Sequence, residues 1–221
     1  VHLRAGRKNI LIDGGGKIEY NTGKRTHKPY LLKNGAGKID AALATHLHTD
    51  HYKGLTELQE CMRVDRLYTE MTAGSTLKVT QNVQIETLWP LELKEENAQD
   101  ENKNCSVFMI YYGNYKILVT GDLDSEGERE MIRYYGNSGR LRADVLKIGH
   151  HGSKTSTCDE FLKCVSPKIA VIQVGKNTYG HPAAETLERL EKQGCVIFRN
   201  DQSGAVGLRL RENDIQIHTV L

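Results

Sequence analysis

Within the stretch from Thr45 to Leu55, His46, His48, Asp50 and His51 stand at i, i+2, i+4 and i+5, directly after the apolar run 39–44. Such a run reads as a strand, so the cluster falls where the chain leaves the core and can expose polar groups. Side chains two apart on a strand share a face. His46 and His48 can therefore hold one cation while the following turn carries Asp50 and His51 toward a second. Donors this dense point to a hydrolase with two metal ions a few ångströms apart, rather than to a histidine-rich surface loop or a helix cap.

A chain of 221 residues suits a single α/β domain spanning 1–221. Thirty basic against 28 acidic residues leave a charge of +2, which excludes a global positive field, so a polyanionic substrate must be attracted locally. No apolar stretch approaches the roughly 20 residues of a membrane span, and no signal-peptide pattern opens the chain. Because the chain opens on Val1 rather than Met, it is expected to be a domain excised from a longer polypeptide or otherwise processed. Five cysteines (Cys61, Cys105, Cys158, Cys164, Cys195) form no CxxC pair and are odd in number, so no disulfide partner is evident and a thiolate zinc site is not expected.

Strand-like patterns cover 9–13, 39–44, 66–70 and 83–88, with helical patterns at 29–33 and 52–61. The polar stretch 94–104 reads as the main loop. Beyond it, runs 107–112 and 116–120 flank Gly113-Asn114, a hairpin turn. Helix 125–135 then leads to strand 144–148, helix 157–165 to strand 169–174, and helix 183–192 to strand 196–199. Ser125 with Glu128 forms a capping-box pattern, and Pro182 sits where a first helical residue would. A closing hairpin, 205–211 and 215–220, turns at 212–214. Two mixed sheets face to face, with helices outside, fit this order.

Other polar clusters also follow apolar strands. Asp13 precedes Gly14-Gly15-Gly16, a turn that keeps the backbone thin beside a cleft. Asp122 ends the run Leu118 to Gly121, where a carboxylate can give one oxygen to each of two ions or simply cap the next helix. In His150-His151-Gly152-Ser153-Lys154, one histidine can reach the second ion and the other a leaving group. Ser153 and Lys154 add a hydroxyl and a cation at an expected helix start, suited to phosphate. His181, in Asn177-Thr178-Tyr179-Gly180-His181-Pro182, falls on the same rim as a substrate contact or a support. Lys147, Lys154 and Lys176 are rim lysines that could meet phosphate or simply be solvated.

Two divalent ions, less Asp50, Asp122 and a bridging hydroxide, retain roughly one positive charge, which matches a phosphodiester monoanion. Asp50 can orient the water and His150 can protonate the departing oxygen.

Taken together, the motifs resemble the metallo-β-lactamase-like domain of the ComEC/Rec2 DNA-uptake proteins. The resemblance is carried by Leu11 to Gly15, Thr45 to His51, Asn104 to Val107, Thr120 to Asp122, Leu146 to Ser153 and Asn177 to Pro182. It implies an αββα sandwich, two mixed β-sheets with helices on the outer faces, and two divalent ions, zinc or manganese. The ligands would be His46, His48, Asp50, His51, Asp122 and His151, with Asp50, Asp122 and His150 catalytic. Asp13, Asn104, Ser153, Lys154, Asn177 and His181 would support the ligands or contact substrate. The implied function is a nuclease that degrades the DNA strand that is not imported. It would work at the extracellular face of a bacterial membrane, joined to a membrane channel in the same polypeptide; without that channel it would be cytoplasmic.

A looser resemblance to phosphorylcholine esterases leaves a small-molecule phosphodiesterase as the alternative, and a non-catalytic DNA-handling domain as another. Many superfamily members place a further histidine ligand before the bridging aspartate, yet no histidine occurs between His51 and His150. Asn104 stands near that position. The ion on His46 and His48 is therefore expected to bind more weakly than the other, and a centre of this kind would tolerate manganese.

Overall fold

The computed structural model describes residues 1–93, 102, 104–136, 138–212 and 214–220. Four strands form one sheet in the order β1 (His2–Ala5), β2 (Lys8–Ile12), β3 (Ala41–Leu43) and β4 (Leu67–Tyr68). Seven form the second: β11 (Val196–Arg199), β10 (Ile169–Ile172), β9 (Val145–Lys147), β8 (Tyr115–Val119), β7 (Val107–Tyr112), β6 (Val83–Trp89) and β5 (Thr76–Lys78). Parallel and antiparallel neighbours occur in both sheets, so both are mixed, as the sequence implies. β12 (Ala205–Arg211) and β13 (Asp214–Val220) pair separately as a hairpin.

The alternation along each strand sets the layers. Ile10 and Ile12 of β2, with Ala41 and Leu43 of β3, pack against Val83, Ile85, Phe108, Ile110 and Val119 of the second sheet. Leu11 and Ala42, pointing the other way, meet Leu31 of α1 (Lys28–Lys33) and Leu55 and Leu58 of α2 (Thr49–Gln59). The opposite face of the second sheet, through Met109, Leu118, Leu146 and Ile172, receives Met131 of α3 (Ser125–Tyr135), Phe161 of α4 (Asp159–Val165) and Leu190 of α5 (Ala184–Lys192). This gives an αββα sandwich. Each buried aliphatic side chain is worth about 1.5–3 kcal/mol over exposure, so a one-residue slip of β2, which would exchange its two faces, is excluded.

The expected elements recur with shifted ends. β1 and β5 have no counterpart in the sequence reading, and neither does the short α6 (Asn200–Ser203). A π-helical turn, Gly23–His27, precedes α1. Of the expected loop, 94–101 and 103 lie outside the described residues, as does Asn213 of the closing turn.

Two helix starts differ in mechanism from the expectation. Asp124, not Ser125, caps α3, accepting from Gly127 N at 2.9 Å. Glu128 turns inward instead and accepts from Thr157 N (2.5 Å) and Cys158 N (2.8 Å), donors at the entrance to α4. Burial pushes its carboxyl up to about 7, against the pull of those two N–H groups. Pro182 lies two residues before α5 and is not its first residue. Truncating Glu128 leaves two buried donors unsatisfied, so Glu128→Ala is expected to lose about 2–4 kcal/mol and to lower Tm by roughly 5–15 °C. Thermal unfolding followed by circular dichroism checks this, and a Tm within about 2 °C of the parent would exclude the role.

Candidate metal centre

Asp13 follows β2, His46 to His51 follow β3, Asp122 follows β8, His150 and His151 follow β9, and Asn177 to His181 follow β10. Each cluster thus sits just beyond the C-terminal end of a strand. α2 starts at Thr49, three residues earlier than expected, so Asp50 and His51 ride on its first turn. His46 and His48 lie beyond the end of β3, in the bend before α2, rather than along a strand face. They meet all the same, with His46 Nε2 3.0 Å from His48 Nδ1.

Glycines bring α2 against the loop after β2. A Cβ on Gly14 would lie 2.5 Å from Leu55 N, and one on Gly54 would lie 2.0 Å from Gly14 O, so neither position has room for one. Backbone bonds Gly14 N to His51 O (2.6 Å) and Gly54 N to Gly15 O (2.8 Å) close the contact. Asp13, itself in the left-handed region at φ 58°, is thereby set beneath His51. Its carboxylate accepts from Thr45 N at 2.8 Å and from Thr45 Oγ1 at 3.0 Å, and lies 2.9 Å from His51 Nδ1. The structure thus places Asp13 against the Nδ1 side of His51, away from its Nε2.

Asp50, His51, Asp122 and His151 each offer one donor atom, and all four atoms lie within 4.8 Å of one another. Two held tautomers aim this set. Asp13 takes the Nδ1 proton of His51, and Gln173 O accepts from His151 Nδ1 at 2.7 Å, so both Nε2 atoms face the centre. His51 Nε2 and Asp122 Oδ1 are 3.2 Å apart and buried, yet neither has a hydrogen-bond partner among the described residues. Buried polar atoms are seldom left so, and a cation between them would satisfy both. The donor set fits a divalent metal ion.

The charges agree. Burial opposes a charged His51, but the carboxylates of Asp122 and Asp13 outweigh it and hold its pKa up at about 9. Asp122 resists its own burial through its contact with His51 and stays well below the usual carboxylate range. The contact with His151 holds Asp50 down at about 2. Burial, helped by the neighbouring His51, pushes His46 down to about 3, which keeps its imidazole neutral, the form that binds a metal.

The paired histidines divide their work. His151 Nε2 reaches Asp50 Oδ2 at 3.6 Å, whereas His150 Nε2 lies 3.9 Å from Asp122 Oδ2 and its ring faces His181 at 5.8 Å. Both adopt the left-handed backbone, φ 45° and 54°, a conformation costing about 1–3 kcal/mol in such residues.

Other predicted residues are placed differently. Ser153 and Lys154 do not begin a helix, since α4 starts at Asp159 with acidic residues in its first turn. Ser153 Oγ pairs with Thr155 Oγ1 at 2.9 Å. Asn177 spends its amide within its own loop, bonding Gly175 O, His181 O, Tyr179 N and His181 N. Asn104 immediately precedes Cys105, whose Sγ lies 3.8 Å from His46 Nδ1. Lys147, expected on the rim, is buried on β9, and its Nζ donates to Gly121 O at 3.2 Å. The sequence reading missed Thr45, Cys105 and the Gln173 carbonyl as supports. Thr45 alone carried a signal, being a hydroxyl at the strand end directly before the first histidine.

The metallo-beta-lactamase superfamily model matches residues 2–61 and 101–176, and the chain belongs to that superfamily. Its members are typically metal-dependent hydrolases. Among solved structures, one from Parabacteroides distasonis described as a metal-dependent hydrolase superposes with a TM-score of 0.57 at 15% identity, covering 90% of this chain and 87% of that one. CmlA, a diiron beta-hydroxylase from Streptomyces venezuelae, superposes at 0.55 with 13% identity, covering 90% and 51%. Such likeness speaks to the fold.

In sequence the chain is similar to competence proteins. It is 31% identical to ComE operon protein 3 of Bacillus subtilis over 93% of its length, and 32% identical to Competence protein ComA of Neisseria gonorrhoeae over 98%. It is also 25% identical to Recombination protein 2 of Haemophilus influenzae over 96%. The resemblance carried by the motifs is therefore matched along nearly the whole chain. This chain spans only 30%, 31% and 28% of those relatives' lengths.

Proposed function

We propose that this chain is a metal-dependent phosphodiesterase domain acting on DNA, part of a larger membrane polypeptide, which degrades the strand not taken up, at the extracellular face of a bacterial membrane. The observation that carries this reading is the convergence of Asp50, His51, Asp122 and His151 around the buried pair His51 Nε2 and Asp122 Oδ1, 3.2 Å apart. Its biological setting is supported by the similarity to competence proteins several times longer than this chain.

Divalent metal held by His46, His48, Asp50, His51, Asp122 and His151 would supply Lewis-acid polarisation of a phosphoryl oxygen and an activated water. The chain supplies the rest. Asp50, on the first turn of α2 and more than half exposed, is placed to orient the attacking water. His150, partly open to solvent beside Asp122, is placed to give a proton to the departing oxygen. Local attraction of a polyanion is supported by exposed Lys17, Lys24, Arg25 and Lys33 in the segment before α2, and by exposed Lys154 and Lys176 in the segments of chain that carry His151 and His181, none ion-paired among the described residues.

The test is cleavage of labelled single- and double-stranded DNA with Mn²⁺ or Zn²⁺, beside EDTA-treated protein. Metal-dependent cleavage abolished by EDTA is expected. Intact DNA together with hydrolysis of a small chromogenic phosphodiester would replace this reading with the small-molecule one, and inertness toward both, with metal bound, would leave a DNA-handling domain.

A further inference from the structure

Tyr179 is 82% exposed, an unusual state for an aromatic side chain one loop away from a metal centre. Its ring nevertheless has a partner. It stacks on His181 at 6.2 Å with an interplanar angle of 30°, and His181 in turn meets His150 edge-on at 5.8 Å. His150 lies beside Asp122. A short row of aromatic rings thus runs outward from the centre, with Tyr179 at its solvent end.

The loop that carries Tyr179 is fixed at several points. Asn177 Oδ1 accepts from Tyr179 N and His181 N, both at 3.1 Å, while its Nδ2 donates to Gly175 O (2.9 Å) and His181 O (2.8 Å). Gly180, at φ +77°, makes the turn between the two rings. Beyond it, Ala183 N donates to Gly152 O at 2.9 Å, and Pro182 fills the space that a Cβ on Gly152 would need, 2.6 Å away. The loop is therefore fastened to the turn that bears His150 and His151.

A buried aromatic serves a core, and a solvated one on a mobile tip serves nothing in particular. Tyr179 is neither: its ring stands open to solvent at the outer end of the row that His150 and His181 form from Asp122, on a loop fixed by hydrogen bonds, so little conformational freedom is lost when another flat group lies on it. Lys154 and Lys176, both exposed and each three residues along the chain from His151 and Tyr179 respectively, suit the phosphates of the same ligand. We infer that Tyr179 is a stacking platform for a nucleobase next to the scissile phosphate, and that it gives the site a preference for single-stranded over duplex DNA. Bases inside a duplex already stack on each other, so a protein ring can take one only where the strand is open.

This inference rests on the phosphodiesterase reading of the same site, and the experiment separates the two. Parent, Tyr179→Ala and Tyr179→Trp proteins are compared for anisotropy binding of a short single-stranded oligonucleotide in EDTA. The same oligonucleotide with its bases removed serves as control, and cleavage of single- and double-stranded DNA is measured with Mn²⁺. The alanine variant is expected to bind the intact oligonucleotide about tenfold more weakly, to show a raised KM with kcat little changed, and to lose the single-strand preference. Tryptophan should restore all three, and the base-free strand should bind parent and variant alike. Alanine protein that binds and discriminates like the parent, while the parent cleaves DNA, would overturn the stacking role and leave the nuclease reading intact. A parent that neither binds nor cleaves DNA would overturn both.

Discussion

Asp122→Asn is expected to lower kcat/KM for phosphodiester hydrolysis by about 10³-fold or more while the protein still folds. Asp122 is buried at the end of β8, with Oδ1 3.2 Å from His51 Nε2 and Oδ2 3.9 Å from both His150 and His151 Nε2. It is the acid that all three of these histidines face. An amide keeps the shape but replaces one anionic oxygen with an NH₂ group, which cannot ligate a cation and brings donor hydrogens toward nitrogens that must accept. Leu123, Thr120 and the cap at Asp124 are untouched, so the fold has no reason to fail. The measurement is steady-state hydrolysis with metal content determined on the same sample. Activity within tenfold of the parent at unchanged metal content would remove Asp122 from the centre.

The sequence made the rim legible because chemistry there is local. His46 to His51, Asp122 and His150-His151 each follow an apolar run, and a strand's end is where polar groups escape burial. The layering was legible for the same reason, since Ile10, Leu11 and Ile12 can satisfy two apolar faces only if both are covered. What failed depended on distant partners. Lys147 reads as a rim lysine in any window, and only the packing of β9 beside the loops of Asp13 and Gly121 buries it near two carboxylates. Glu128 has the spacing of a local capping box, but its donors lie some thirty residues away at Thr157 and Cys158. β1 and β5 are short edge strands defined by pairing, with too few residues to show a period. The start of α2 was hidden because the residues of its first turn, Thr49 to His51, are those of the metal motif.

Titration of metal-free protein with Mn²⁺ or Zn²⁺ is expected to resolve two steps separated by about 100-fold in Kd. The reason is the unequal donor count. Among the described residues Asp50, His51, Asp122 and His151 converge as a set of four, whereas His46 and His48, 3.0 Å apart at Nε2 and Nδ1, would draw on a shared oxygen of Asp122 as a third donor. Cys105 does not complete that second set. Its sulfur approaches the Nδ1 side of His46, which also faces Thr45 Oγ1, whereas His48 stands at Nε2. A four-ligand zinc site is worth roughly 10–16 kcal/mol, or about 3 kcal/mol per ligand, so one missing ligand corresponds to about two decades in affinity. Competition against a chromogenic chelator measures both steps and assigns them: His151→Ala should weaken the tight step, and His48→Ala the weak one. Equal affinities at the two steps, or a tight step that survives His151→Ala while His48→Ala destroys it, would reverse the ranking of the two sites.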